Sequence, residues 1–312
     1  MERKRIGSPR KLGVESLEGR WLMAGNVTAT LTNGRLSIVG DAAANAVAVF
    51  EDHSTGMLEV LGLTDIGSMA TPGSATTING GASAEFSSVN SLKVDLKGGD
   101  DSFLLTDATL SGSVRIETGQ GNDNVVIGAM PDVNPAALDT TRIPSDLLAT
   151  TFHQVSIGGN LYIDTGAGDD QVVEAGVTIT GSDYVDGGKG NNSVFLDVFT
   201  DTVDSLPALG VNVGKTLAIY GGYRGSETVG LNTVTGNRAY ITGSSGADQV
   251  TIQNSNFDTL GVSLGRGDDT LDISDTTTTK DTYLSGGKGD DTLASTGNTL
   301  ANLHQHGFET TT

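Results

Sequence analysis

The sequence predicts an all-β fold of stacked repeat units, here called rungs, from two regularities. A Gly-rich acidic turn recurs eight times, usually 21 or 22 residues apart, and its clearest copy is Gly286-Gly287-Lys288-Gly289-Asp290-Asp291-Thr292-Leu293. Apolar residues stand at fixed distances on both sides of every copy. A repeat of this length is typical of a solenoid, in which each unit buries its apolar edge only against its neighbours. We therefore predict a parallel β-helix or β-roll-like solenoid with rungs of about 21–22 residues.

Two apolar columns flank the second acidic position of the turn, which falls at residues 101, 123, 170, 192, 227, 248, 269 and 291. Two residues later stand Phe103, Val125, Val172, Val194, Val229, Val250, Leu271 and Leu293. Seven residues earlier stand Val94, Ile116, Ile163, Val185, Tyr220, Ile241, Val262 and Leu284. Apolar residues also fill most positions four residues after the reference, with Glu174 and Ser295 as exceptions. This alternation predicts a half-buried strand on each side of the turn.

The rung length favours one version of the solenoid. A two-sided β-roll with two nine-residue units per turn needs about 18 residues. Rungs of about 22 residues leave room for a third short side, so we favour the parallel β-helix.

The repeat also suggests a division of the chain. Residues 1–25 form a basic, export- or targeting-like segment, 26–303 the solenoid, and 304–312 a tail. Insertions at about 130–151 and 199–213 interrupt the repeat and hold four of the six prolines, which would each remove a ladder hydrogen bond inside a rung. The segment Leu36–Val49 resembles a degenerate early rung.

Composition excludes several classes of protein and site. The 312 residues include no cysteine, which excludes disulfides and thiolate metal sites. The formal net charge of −20 argues against a nucleic-acid partner, because phosphates would be repelled. No apolar run reaches the length of a transmembrane helix.

The acidic turns are the candidate site, and two interpretations remain open. Calcium takes six to eight oxygen ligands, and glycines allow turn carbonyls to point towards one ion. A column of aspartates one rung apart is repulsive unless a cation lies between them. Alternatively, Asp and Asn side chains only accept hydrogen bonds from turn amides, as in ordinary turns.

The turn resembles the hemolysin-type (RTX) calcium-binding nonapeptide, Gly-Gly-x-Gly-x-Asp-x-apolar-x, and residues 286–294 match it at every fixed position. In other copies Asn192 replaces the aspartate, Glu227 follows a longer loop, and the first turn is one residue short. Because the period is about 22 rather than nine, only one edge of the solenoid can carry such sites. The resemblance implies calcium ligands at Asp101, Asp123, Asp170, Asp248, Asp269 and Asp291, with the turn glycines Gly121, Gly168, Gly267, Gly287 and Gly289.

The N-terminus carries a second resemblance. Leu17, Glu18, Arg20, Leu22 and Ala24 match the LEPR-XLL type motif, which is found near the start of secreted or surface proteins in one group of budding aquatic bacteria. The resemblance implies export and an extracellular or cell-surface location. No apolar stretch of the length of a signal peptide follows the basic start, and a basic tail with a short amphipathic helix is the alternative.

These observations predict a non-catalytic secreted or cell-surface β-solenoid that is stabilised by calcium, with an extracellular polymer as a further partner. The alternatives are a polysaccharide-active β-helix enzyme and an adhesin-like binding module that uses the insertion loops. Fold alone does not choose among them. The chain contains no His-Glu-x-x-His motif, and its four histidines suggest no catalytic group.

Overall fold

The computed structural model describes residues 25–63, 75–128, 154–197, 209–222 and 224–312. Within these ranges every regular element is a β-strand, and there is no helix that could cross a membrane. The N-terminal segment up to residue 24, with its motif, lies outside the described residues, as do 129–153 and 198–208, which cover most of the two insertions.

The strands are, in chain order, β1 (Asn26–Thr32), β2 (Arg35–Val39), β3 (Ala46–Asp52), β4 (Met57–Gly62), β5 (Thr77–Ile78), β6 (Ser83–Phe86), β7 (Ser91–Asp95), β8 (Ser102–Leu105), β9 (Ala108–Leu110), β10 (Val114–Gln120), β11 (Asn124–Gly128), β12 (Val155–Ile157), β13 (Leu161–Ala167), β14 (Gln171–Ala175), β15 (Val177–Ile179), β16 (Asp183–Asp186), β17 (Asn192–Asp197), β18 (Val211–Tyr220), β19 (Glu227–Asn232), β20 (Val234–Thr242), β21 (Gln249–Gln253), β22 (Asn256–Arg266), β23 (Thr270–Ser274), β24 (Thr277–Lys288), β25 (Thr292–Thr296), β26 (Leu303–His306) and β27 (Thr310–Thr311).

Two long sheets run the length of the described chain, and each rung contributes one strand to each of them. Sheet 1 contains the parallel series β2-β7-β10-β13-β16-β18-β20-β22-β24-β26. Sheet 2 contains the parallel series β3-β8-β11-β14-β17-β19-β21-β23-β25-β27. Neighbours in a series are copies of one strand in successive rungs. The structure therefore confirms an all-β fold with long parallel sheets, compatible with a β-helix or a β-roll.

A short third segment leads from sheet 2 back to sheet 1. In the earlier rungs it is a separate strand, and β9, β12 and β15 pair with one another in parallel. In the later rungs it is the first part of one long strand that continues into sheet 1, as in β18, β20, β22 and β24. The rung length predicted this third short side.

The apolar columns face inward in register, with one exception. Ile116 pairs with Val94 and Ile163 on neighbouring rungs, and all three are buried. The prediction that Tyr220 belongs to this column is wrong, because its side chain is 45% exposed and Ile219 takes the inward position. The turn that follows is one residue longer than its copies, so the inward position moves back by one residue.

The C-terminal end of the repeat and the second insertion differ from the expected boundaries, whereas the N-terminal end does not. Leu36–Val49 forms an early rung as predicted, because β2 and β3 pair in register with β7 and β8. The strands β1, β4 and β6 join antiparallel and cover this end, as terminal units of repeat proteins do. Residues 304–312, expected as a tail, belong largely to β26 and β27 and continue both sheets. Val211 and Val213, expected within the second insertion, are buried in β18.

The rungs approach one another so closely at the turn that a side chain would not fit. Gly168 and Gly289 adopt φ values of 156° and 148°. A Cβ atom at Gly168 would collide with the carbonyl oxygen of Gly121, and one at Gly289 with that of Gly267. Glycine is required here by both backbone conformation and space.

Gly168→Ala should lower the free energy of unfolding by at least about 3 kcal/mol, because it adds a backbone collision to the strain of a positive φ. Gly80→Ala is the matched control, since Gly80 also has a positive φ (79°) but nothing lies within 4 Å of a Cβ placed there. It should cost only about 1–2 kcal/mol. Urea unfolding measures both, and equal losses would contradict the close approach.

Candidate functional site

The second acidic residue of each turn joins a single buried column between sheet 1 and sheet 2. Its members are Asp101, Asp123, Asp170, Asn192, Glu227, Asp248, Asp269 and Asp291, and each is at most 3% exposed. The structure therefore places all six predicted aspartates in one line, with Asn192 and Glu227 in the two rungs between Asp170 and Asp248.

Each column residue is tied to the next rung through its backbone and through its neighbour's side chain. The carbonyl of Asp123 accepts a hydrogen bond from the N–H of Gln171 at 2.8 Å, which continues sheet 2. The N–H of Asp123 does not donate to a backbone carbonyl of the neighbouring rung. It donates instead to Oδ1 of Asp170 at 2.8 Å. Because a buried amide needs an acceptor, the carboxyl group replaces the missing carbonyl of a strand partner.

The same bond repeats along the column, which we call the inner ladder. Asp101 N–H donates to Asp123 Oδ1 at 2.8 Å, and Asp269 N–H donates to Asp291 Oδ1 at 2.9 Å. Residues outside the eight turns complete both ends. Asn45 N–H donates to Asp101 Oδ1, and Asp291 N–H donates to Glu309 Oε2, both at 2.7 Å.

The inner ladder changes its chemistry where the sequence departs from aspartate. Asn192 donates its backbone N–H to the carbonyl of Ser226, and its side-chain Nδ2 donates to Oε1 of Glu227 at 3.0 Å. The longer glutamate thus bridges the longer turn. Glu227 N–H then donates to Oδ1 of Asp248 at 2.7 Å, and the regular bond resumes.

An outer ladder runs in the opposite direction one residue earlier in the turn. Asn122 N–H donates to Oδ1 of Asp100 at 2.8 Å, Asp169 N–H to Oδ1 of Asn122 at 2.9 Å, and Asn191 N–H to Oδ1 of Asp169 at 2.8 Å. Most turns are therefore held from both sides by Asp or Asn side chains. This geometry supports the interpretation in which the acidic turn residues accept hydrogen bonds from turn amides.

The inner ladder uses only one oxygen of most carboxyl groups. The second oxygen is buried without a hydrogen-bond partner in Asp101, Asp123, Asp170, Glu227, Asp269 and Asp291. Burial raises the pKa of Asp101 to about 8 and the pKa values of Asp170 and Asp269 to about 6. Asp248 differs, because its Oδ2 accepts a hydrogen bond from Ser244 N–H at 2.6 Å.

The donor chemistry of this column fits a hard cation, since unpaired carboxyl oxygens are the ligands that calcium prefers. The predicted glycines Gly121, Gly168, Gly267, Gly287 and Gly289 all adopt positive φ values in the turns. The side chains form a line rather than a cluster. Nowhere in the described part of the chain do three His, Asp or Glu side chains gather around one point. An ion here would need backbone carbonyls among its ligands.

A buried pair of carboxyl groups lies inside the core, away from the turns. Glu174 and Asp183 are both 0% exposed, and none of their four oxygens has a hydrogen-bond donor. Burial, followed by the charge of Asp183, raises the pKa of Glu174, and burial raises the pKa of Asp183. Two buried carboxylates side by side cannot both ionise at low cost, so the pair retains at least one proton.

The sequence marks Glu174 and Asp183 as exceptions in apolar columns, but it does not show that they meet. Glu174 breaks an apolar column, where its register neighbours are Ile127 and Leu196. Asp183 breaks another column, between Leu161 and Leu217, which the repeat comparison did not include. Because the two residues come from different sheets, only the structure shows that they meet.

Replacing both residues by leucine should restore the two apolar columns. The double variant Glu174→Leu/Asp183→Leu should be about 1–4 kcal/mol more stable at neutral pH, because a buried polar pair is replaced by apolar side chains. The raised pKa values stabilise the wild type below the unfolded-chain values near 4, and this contribution is lost as the pH rises through the folded-state values. The variant should therefore lose less stability than the wild type between about pH 4 and pH 8.

Denaturant unfolding at several pH values measures this difference. The control Glu174→Gln/Asp183→Asn should also reduce the pH dependence, but without the gain from apolar packing. An unchanged pH slope in both double variants would contradict the shared proton.

Comparisons of the chain with protein-family models, curated protein sequences and solved structures give no match.

Proposed function

We propose that this chain is a non-catalytic, secreted or cell-surface β-solenoid in which the inner ladder binds calcium. One observation carries the proposal: six carboxyl groups in a single buried line each keep one oxygen without a hydrogen-bond partner. The proposal also specifies the type of solenoid, a parallel β-helix. The third short segment, from β9 to the first part of β24, supports rungs that close into a parallel β-helix.

The unpaired oxygens need a positive partner whenever the carboxyl groups ionise. An unpaired buried carboxylate is costly, and either a proton or a cation can relieve that cost. The raised pKa values of Asp170 and Asp269, about 6, mean that protons leave near neutral pH. Calcium in an extracellular environment is then the natural replacement, and extracellular modules bind it at roughly 10⁻⁴ to 10⁻³ M.

Three features support a structural rather than catalytic role. The turn carboxyl groups are committed to backbone amides, as in the bond from Asp248 N–H to Asp269 Oδ1 at 2.7 Å. The core pair Glu174 and Asp183 is fully buried, so a substrate cannot reach it. The acidic residues are repeated along the chain, whereas an active site needs a local departure from the repeat.

Calcium at about 5 mM should raise the melting temperature relative to chelator at fixed ionic strength. Ligand at 100 times the Kd adds about 2.7 kcal/mol per independent site. Asp269→Asn should reduce this gain, because it removes the charged ligand oxygen. It should leave the calcium-free stability nearly unchanged, because the amide oxygen still accepts the hydrogen bond from Asp248 N–H. Thermal unfolding and calorimetric titration measure both effects.

Asp268→Asn is the matched control. Asp268 belongs to the same turn, is exposed, and accepts the Asp290 N–H in the outer ladder at 3.0 Å, so it tests the same change of charge outside the column. A calcium response that is absent in the wild type, or reduced equally by both substitutions, would leave the column as a hydrogen-bond ladder only.

Deleting residues 1–24 should leave the melting transition nearly unchanged, because the first described strand, β1, starts at Asn26. The same deletion should prevent the protein from appearing outside the cytoplasm, since the export motif lies in this segment. Fractionation of cells that express both forms measures the second effect. Continued export of the shortened chain would contradict the export role of this segment, and retention of the full-length chain in the cytoplasm would contradict the secreted or cell-surface location.

A further inference from the structure

Five of the six tyrosines lie on the outer face of sheet 1, and the sixth, Tyr223, lies outside the described residues. Four of them share one register row, which we call the tyrosine row. Along successive strands this row reads Arg115, Tyr162, Tyr184, Ala218, Tyr240, Gly261, Tyr283 and His304. Tyr220 belongs to the adjacent outward row, two residues further along its strand.

Two pairs of neighbouring rings stack along the row. Tyr162 and Tyr184 stack with centroids 5.0 Å apart and planes 7° apart, and Tyr283 stacks on His304 at 5.2 Å and 12°. From Tyr184 onwards the tyrosines occupy alternate rungs. Two rung spacings of about 4.8 Å place them about 10 Å apart.

Two tyrosines of the row, Tyr240 and Tyr283, and the neighbouring Tyr220 are exposed. Tyr220, Tyr240 and Tyr283 are 45%, 40% and 49% exposed, and they are three of the five exposed large apolar side chains in the described ranges. A contiguous exposed aromatic surface on a soluble protein marks an interaction site more often than scattered residues do. Tyrosine suits such a surface because it combines an apolar ring with a hydroxyl group.

Polar side chains border the tyrosine row on both sides. On one side the neighbouring outward row holds Glu117, Asp164, Asp186, Thr242, Ser263 and Ser285. On the other side lie Arg238, Thr259 and Asp281. Alongside its later rungs, a cleft of about 1050 Å³ is lined by Tyr220, Thr242, Ser244, Arg266, Ser285 and Lys288. Rings flanked by hydroxyl and carboxylate groups match the apolar faces and equatorial hydroxyls of sugars.

We propose that the tyrosine row binds an extended, neutral β-1,4-linked polysaccharide that lies along the axis of rung stacking. The disaccharide repeat of such a glycan has about the same length as two rung spacings, so every second sugar ring can meet a tyrosine. The net charge of −20 and the flanking Asp164 and Asp186 exclude a polyanionic chain. Single-stranded nucleic acid, which also stacks on aromatic rings, binds in positively charged grooves, whereas the outward row beside the first tyrosines carries Glu117, Asp164 and Asp186.

The Tyr240 ring could have only a structural role, and a similar ring elsewhere in the fold provides the control for this role. The Tyr240 ring covers Gly261, where a Cβ would lie 2.8 Å from Cδ1, and this contact by itself stabilises a sheet glycine. Phe195 covers Gly230 on sheet 2 with the same 2.8 Å contact, away from the tyrosine row. Phe195→Ala therefore reproduces the structural cost of Tyr240→Ala without touching the proposed surface.

The test uses the full chain and titrates it by calorimetry with cello-oligosaccharides and chito-oligosaccharides of two to six sugars. Affinity should rise with length, because bridging from Tyr184 to Tyr283 spans four rung spacings, about 19 Å. The double variant Tyr240→Ala/Tyr283→Ala should bind the hexasaccharide about tenfold more weakly. Phe195→Ala should bind like the wild type.

Several outcomes would overturn the proposal: no binding of either glycan series by the wild type, equal weakening by Phe195→Ala, or equal affinity for a β-1,3-glucan or a polyuronate. Repeating the titration with chelator separates this surface from the calcium proposal, because the tyrosine row contains no turn carboxylate. Cleavage of the oligosaccharides would support the surface and contradict the non-catalytic function.

Discussion

The backbone leaves both sheets at every turn, and in every rung except that of Asn192 the amide of the inner column residue has no carbonyl partner there. A side-chain oxygen from the next rung accepts the hydrogen bond instead, as Asp170 does for Asp123 at 2.8 Å. The rest of the structure depends on this replacement of a strand carbonyl by a side-chain oxygen. It keeps successive rungs in register across the turn, so the strands on both sides stay paired, and it requires an Asp, Asn or Glu at the same place in every rung.

The use of side-chain oxygens as acceptors also explains why the turns are acidic, glycine-rich and buried together. An aspartate accepts an amide hydrogen bond as well as an asparagine does, but it brings a second oxygen that has no donor in the column. Close approach of the turns, as between Gly168 and Gly121, leaves no room for a side chain at these glycines. A chain that needed only the hydrogen bond could use asparagine throughout, as Asn192 shows by accepting the N–H of Asp170 at 3.1 Å. The preference for aspartate is the physical reason for proposing a cation.

The inner ladder, the buried carboxyl pair and the tyrosine row lie in different parts of the same stack of rungs. The inner ladder lies at the turn, the pair Glu174 and Asp183 lies in the core, and the tyrosine row lies on the outer face of sheet 1. A parallel stack turns any residue that recurs once per rung into a line of equal spacing. Charge in such a line must be neutralised, whereas aromatic rings in such a line form a platform.

The sequence alone determined the strands that flank the eight turns, the turns themselves and every inward position except that at Tyr220, because alternation and repetition are local patterns. It also indicated the third side, since the rung length exceeds what two strands need. Only the tertiary structure decided that the carboxyl groups accept amides from the previous rung, because both structural interpretations of the turn use the same residues. The pairing of Glu174 with Asp183 and the alignment of Tyr184 with Tyr240 also required it. Contacts across the core, and register across an insertion, depend on how the rungs pack rather than on sequence spacing.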